Sequence, residues 1–247
     1  MSPRTVLSVG LLTAVFGLAG AAEAQISRVF VSVNGNDANN CASQATPCRT
    51  IGGGIAQVDA GGEVIIVDTG SYAGGSITKA VKVTAAPGVV AFSGLPFQIN
   101  PGAGKTVVLR GLTIKSTIPG SGQGIVHSTG NLMIEECIVD GWTTGINVQS
   151  PGNLSIRNST FRNNTNGGDG QGVNIQAGVA NLSNVHIANN FFGVVLEGGV
   201  VTVSDSVIVQ NNTGLRRNAG TLSSLGNNVI EGNTTNTFGT ITAGTLK

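Results

Sequence analysis

Only 10% of the residues are charged, so a charged side chain that falls into a pattern stands out. Two columns do so. Arg110, Glu135 and Arg157 hold one position of a recurring eight-residue segment, and Ser183, Ser204 and Leu225 follow them in later copies. Lys115, Asp140 and Arg162 hold the position just after that segment, followed by Ala188, Val209 and Ile230. Base, acid, base on successive repeats about 5 Å apart has two readings. One is an ion-pair ladder on a solvated face, each pair contributing under ~1 kcal/mol. The other is a charged patch for an anionic glycan. The ladder is the plainer of the two.

Trp142 is the single tryptophan. It sits between two longer segments, 115–123 and 162–171, the second carrying Asp169. A tryptophan walled by two loops and flanked by Asp140 and Arg162 has the make-up of a sugar-stacking platform. Its ring offers broad apolar area with a polar handle, and binding residues favour loops on a rigid scaffold. Lys115, Asp140, Trp142, Arg162 and Asp169 are therefore the candidate ligand-binding residues. The bland alternative is a tryptophan that covers its own corner.

Other chemistry has little to work with. No two aspartates are adjacent, and Glu135 and Glu136, neighbours in the chain, should diverge. His127 and His186 fall on different strands with no evident carboxylate partner. No serine-triad spacing and no phosphate-cradling glycine loop occurs in context. No catalytic residue, metal site or cofactor is assigned. A net charge of +1 gives no electrostatic case for nucleic acid.

The element that must position these residues is a repeat. The segment 107–114 matches 132–139, 154–161, 180–187, 201–208 and 222–229. Its last residues, Ile114, Val139, Phe161, Ile187, Ile208 and Val229, are spaced by 25, 22, 26, 21 and 21. Gly124, Gly145, Gly172, Gly193 and Gly214 keep a parallel register, each before an apolar residue. A period in the low twenties, with short alternating strands and Asn/Gly corners, predicts a solenoid. Glycine is abundant at 38 residues and aromatics are 4%, which fits strands and tight turns better than helices.

The columns follow from stacking. Ile125, Ile146, Val173, Val194 and Leu215 should point inward. Val126, Asn147 and Asn174 should face outward beside them. His127, Val148, Ile175, Leu196 and Arg217 should form a second inward column whose polar ends mark distorted or terminal coils. Asn164, Asn190 and Asn211 should stack along one corner in a structural role. Cys137 reads as a buried filler rather than a nucleophile.

Residues 1–24 read as a secretory signal: Arg4, the apolar run 6–20, then Ala22-Glu23-Ala24 before Gln25. No other stretch is apolar enough to cross a bilayer, so no membrane span is expected once the signal is removed. Export makes Cys41 and Cys48 an expected disulfide closing a small polar loop. Residues 25–62 should supply a first strand over 28–33, the disulfide loop and a short capping helix over 50–60 with Thr50 as its cap. The glycines at 52–54 oppose that helix at ~1 kcal/mol each. Residues 63–247 should form the solenoid, with 234–247 adding a last irregular coil that blunts its edge.

Cys41, Pro47-Cys48-Arg49-Thr50-Ile51, Gly61-Gly62-Glu63-Val64-Ile65, Gly70-Ser71-Tyr72, Ile77-Thr78-Lys79 and Val81-Lys82-Val83 resemble the opening of secreted bacterial right-handed parallel β-helix proteins of the pectin-lyase-like superfamily. The later repeats resemble that group's coils. The resemblance covers roughly 28–240 and implies an all-β, right-handed parallel β-helix of about seven coils. For its enzymes it implies clustered carboxylates holding calcium with an Arg or Lys base, or paired aspartates. Neither pattern is visible here. The expected function is a secreted or periplasmic non-catalytic module that binds polysaccharide or a surface protein. The competing reading is a polysaccharide lyase or glycoside hydrolase with a diverged site around Lys115, Asp140, Arg162 and Asp169. An ice-binding face ranks last, because Thr113 and Thr160 extend into no flat threonine array.

Overall fold

The computed structural model describes residues 25–245. The expected signal segment, 1–24, lies outside the described residues. What is described is a shaft of stacked coils with three parallel sheets, one of ten strands and two of eight. One coil runs Asn153–Arg157 in the first sheet, Thr160–Arg162 in the second and Gln171–Ile175 in the third. Eight such turns are complete, one more than the expected seven. The extra turn lies before the clearest repeats, yet it keeps the same step, with Gly70 paired to Ala91 and Ala91 to Leu112.

The registers place the inward columns as expected. Ile187 pairs with Ile208, both fully buried. Phe97, Ile125, Ile146, Val173, Val194 and Leu215 form one continuous row. A coil cannot bury these side chains alone, so stability resides in the stack.

Three corners bend the chain. Between first and second sheets one left-handed residue recurs: Gly111, Glu136, Asn158, Asn184 and Asp205, with φ of 71°, 56°, 50°, 52° and 51°. Between second and third sheets another does: Gly141, Asn163, Asn189, Gln210 and Gly232. Asn, Asp and Gly tolerate this conformation best. The glycine column at 145, 172 and 193 answers a different need. A Cβ at Gly145 would lie 2.5 Å from the Gly172 carbonyl oxygen, so a side chain there would force the coils apart.

Several expectations are corrected. Val229 is not the last interior anchor: Ile230 pairs with Ile208, and Val229 faces solvent. Leu222 still pairs with Val201, so the extra residue is absorbed in the turn around Gly226. His127 does not end its column, because Ile77 and Ile99 continue it. Asn147 and Asn174 are buried although they alternate with the inward residues, and the Asn174 amide nitrogen donates to Asn147 Oδ1 at 3.3 Å. Residues 235–244 are regular rather than irregular. Thr235–Phe238 extends the third sheet and Thr242–Gly244 the first, in keeping with threonine's preference for strands.

The helix Ile51–Gln57 forms despite its glycines, with Thr50 Oγ1 accepting from Gly53 N at 2.9 Å. Two of those glycines, Gly53 and Gly54, sit where a side chain would collide with a neighbour. A Cβ on Gly53 would strike Asp37 Oδ1 at 2.2 Å, and one on Gly54 would strike Val31 and Val64 at 2.9 Å. Asp37 in turn accepts from the backbone N of Arg49 and Thr50. Cys41 and Cys48 are joined by a disulfide with Cα atoms 5.2 Å apart. Their loop packs against the first strand, Arg28–Val31, which pairs with Glu63–Ile66. No helix among the described residues is long and apolar enough to cross a membrane.

His127 has no exposed surface. Its Nε2 lies 3.1 Å from the Gly130 carbonyl, which assigns the proton to Nε2, and Nδ1 has no partner among the described residues. Burial disfavours the imidazolium and pulls the pKa below 6.5, although the Gly130 and Thr129 backbone partly opposes this. The unfolded chain then takes up a proton near pH ~6.5 that the folded chain refuses. Stability should be full above that pH and fall as the medium acidifies. Chemical denaturation at about pH 7.5 and about pH 5 should show this loss, and His127→Leu should remove the part due to this group. The asparagine ladder gives a second expectation. Asn190→Ala strands the backbone N–H and the side-chain amide of Asn164, which Asn190 Oδ1 now serves at 3.0 and 2.9 Å. The loss should be roughly 2–4 kcal/mol, read from urea unfolding.

Candidate functional site

The structure stacks Lys115, Asp140 and Arg162 directly over one another on the second sheet. Asp140 is buried, and its carboxylate accepts from Arg162 Nε at 3.1 Å and from Asn163 Nδ2 at 3.0 Å. That acid is occupied. Arg162 keeps about half of its side chain exposed (46%). Lys115 is exposed, and neither Lys115 nor Asp169 makes an ion pair among the described residues. Asp169 sits in an exposed turn, where its backbone N donates to the Asn166 carbonyl at 3.1 Å.

Trp142 departs from the sugar-platform expectation. It is 5% exposed and has no free ring face to offer. The reason is the interior ladder it begins. Its backbone N donates to Asn164 Oδ1 at 3.0 Å, and the series runs on from Asn164 to Asn190, Asn211 and Asn233. In Asn190, Asn211 and Asn233 the amide nitrogen also donates to the preceding coil, at Phe161, Ile187 and Ile208. The indole Nε1 does the same at Ile114 O, 3.1 Å away. Trp142 thus stands in for an asparagine, with its bulk closing the ladder. The two longer loops cover it instead of walling a cleft. A Cβ on Gly122 would lie 3.8 Å from the indole, and one on Gly120 would lie 2.5 Å from Thr165 O in the other loop.

The other charged column lies on the outer face of the first sheet, where Arg110, Glu135 and Arg157 are in register. The expected ladder does not close. Arg110 pairs with Glu136, at 2.8 Å, around the left-handed corner. That hydrogen bond and its charge raise the Arg110 pKa. Glu135 and Arg157 have no ionic partner among the described residues.

Two shallow hollows on this face meet at Met133. One, of about 580 Å³, is lined by Asn131, Asn153, Ser155, Asn181, Ser183 and Arg157 among others. The second, of about 360 Å³, lies over Glu63, Lys82, Thr84, Arg110 and Glu135. Together they cross six neighbouring strands, from Glu63–Ile66 to Val179–Ser183. That is roughly 24 Å at ~4.8 Å per strand. Amides, hydroxyls, a flexible thioether and an unpaired guanidinium make a surface that hydrogen-bonds hydroxyl-rich chains and attracts carboxylates. Sequence reasoning passed over Asn131, Met133, Asn153 and Asn181, none of which carries a charge. The usable signal was the outward second position of the repeat, Val108, Met133, Ser155 and Asn181, which is polar in the middle coils.

No group of three or more His, Cys, Asp or Glu that could hold a metal ion occurs among the described residues. Cys137 is buried, and burial pushes its thiol up to about 12. It therefore stays protonated and unreactive. At the other end of the shaft, Asp68 accepts from Ser32 Oγ, Val33 N and the Tyr72 hydroxyl. Burial raises the Asp68 pKa, but these donors outweigh it and the net shift is downward.

With three parallel sheets wound around one apolar shaft, the chain is a parallel β-helix. It is similar to a crystal structure of the pectate lyase Pel9A, with a TM-score of 0.62 and 16% identity over 87% of this chain and 67% of that one. At that identity the likeness establishes the fold. No family model matches the chain, and no curated protein matches it.

Removing the indole should cost stability because it leaves a void and loses the Nε1–H bond to the Ile114 carbonyl. Trp142→Ala should lower unfolding free energy by about 3–5 kcal/mol in a denaturant titration. A near-neutral result would place the ring outside the core.

Proposed function

We propose that the protein is an exported, non-catalytic module that binds an acidic polysaccharide along the outer face of the first sheet. The observation that carries this is the pair of hollows that together cross six strands, with Arg157 making no ion pair among the described residues and lying among Asn131, Asn153, Asn181 and the serines. A chain of pyranose rings advances by about one strand spacing per residue, so each coil can present the same polar contacts to successive sugars. The Cys41–Cys48 disulfide supports an oxidising location, secreted or periplasmic. The likeness to a pectate lyase makes pectate the first polymer to test.

Two other readings stay within reach of the same experiment. In one, the ligand sits on the second sheet at Lys115 and Arg162, beside Asp140 and Asp169. In the other, the groove is catalytic, and Arg157, Arg110 or Lys82 takes a proton from a uronate. The base would have to be deprotonated, which an exposed arginine resists.

Binding of the mature chain to polygalacturonate should be measured by calorimetry against a neutral glucan. Arg157→Ala should weaken acidic-polymer affinity by roughly tenfold or more, the scale of a lost charged hydrogen bond. Lys115→Ala and Arg162→Ala should leave it unchanged. Loss of affinity only in those two variants would move the site to the second sheet. Appearance of unsaturated ends, with or without calcium, would replace binding by lyase activity. No affinity for any acidic polymer would end the proposal.

A further inference from the structure

The chain contains two Asn-Gly pairs, Asn34-Gly35 and Asn166-Gly167, and the fold treats them oppositely. An asparagine converts itself when the backbone nitrogen of the next residue attacks its side-chain carbonyl carbon. Glycine permits this because no Cβ obstructs the approach. The attacking nitrogen must first give up its proton, so a hydrogen bond on that N–H suppresses the reaction.

At the first pair, Gly35 N donates to the Ser32 carbonyl at 3.0 Å. Its Cα is also clamped, since a Cβ there would lie 2.0 Å from the Cys48 oxygen. At the second pair, Asn166 and Gly167 are both exposed, and Gly167 N makes no hydrogen bond among the described residues. A Cβ on Gly167, whose φ is +56°, would meet nothing within 4 Å. The side-chain amide of Asn166 makes no hydrogen bond among the described residues either. Both partners of the cyclisation are unengaged and have room to meet.

We infer that Asn166 is a self-modifying site. The deprotonated Gly167 nitrogen forms a bond to the Asn166 side-chain carbon, and ammonia leaves, giving a cyclic imide. Water then opens either carbonyl of the ring, which yields aspartate or isoaspartate at position 166. No oxidant or enzyme is needed. The product adds a negative charge to a turn that already carries Asp169. The isoaspartate form also lengthens the backbone by one methylene.

That extra atom has a structural consequence. Gly120 of the neighbouring loop packs on Thr165 and Asn166. Its carbonyl accepts from Thr143 Oγ1 at 2.6 Å, directly after Trp142. Lengthening the backbone at 166 pushes on the loop that covers the only tryptophan.

The full chain should be aged in mildly alkaline buffer, digested, and examined by mass spectrometry, with an isoaspartyl methyltransferase as the label for isoaspartate. Conversion at Asn166 should run at least roughly tenfold faster than at Asn34, the factor set by one retained hydrogen bond. Tryptophan emission should shift to longer wavelength in step with isoaspartate. Asn166→Gln should abolish both changes, and Asn166→Asp should add the charge without the emission shift. Equal rates at the two asparagines, or no conversion at Asn166, overturns the assignment. Conversion without any change in emission overturns the coupling to the loop over Trp142.

Discussion

Each coil of this protein must lie flat on the next, and the buried asparagine ladder holds it there. From Asn190 to Asn233 every side-chain oxygen accepts both the backbone and the amide nitrogen of the asparagine one coil earlier. Buried amides without partners would each cost a few kcal/mol. Here each one registers two coils and leaves few alternatives. A slip by one residue would turn every apolar column outward and orphan the whole ladder together. The glycine column beside it, which lets the coil backbones approach, is the steric half of the same requirement.

Trp142 follows from that arrangement. It sits where the ladder needs a donor to the previous coil, and the indole Nε1 supplies one at Ile114. Its size then demands a roof, and the two longer loops provide it. What looked like walls around a binding cleft are the lid of a core residue. Asp140 shares the logic. Held by Arg162 and Asn163, it secures the corner on which the lid is hinged.

Function is left to the outer faces, because the shaft is lined by buried apolar side chains. On the first sheet the corner residue Glu136 draws Arg110 away from its in-register neighbour, and this leaves Glu135 and Arg157 available. A single left-handed residue thus decides which charges are neutralised and which remain. The amide and hydroxyl columns around Arg157 repeat with the coil, so the face offers a periodic surface suited to a periodic ligand.

Much of the fold was legible from spacing alone. The repeat from Val107 onward, the inward rows through Ile187 and Ile208, the asparagine corner, the helix capped by Thr50 and the pairing of Cys41 with Cys48 all depend on local periodicity or local chemistry. Those are properties of residue order. The burial of Trp142, the exchange of Glu135 for Glu136 as the partner of Arg110, the shift from Val229 to Ile230 and the continuation of His127's column were not legible. Each depends on how far a side chain reaches into an adjacent coil, and on which loop closes over it. By itself, then, the residue order determined a stack of parallel coils and which positions point into it. The tertiary structure decided which outward groups are left free to meet a ligand, because that turns on contacts between coils that no single repeat contains.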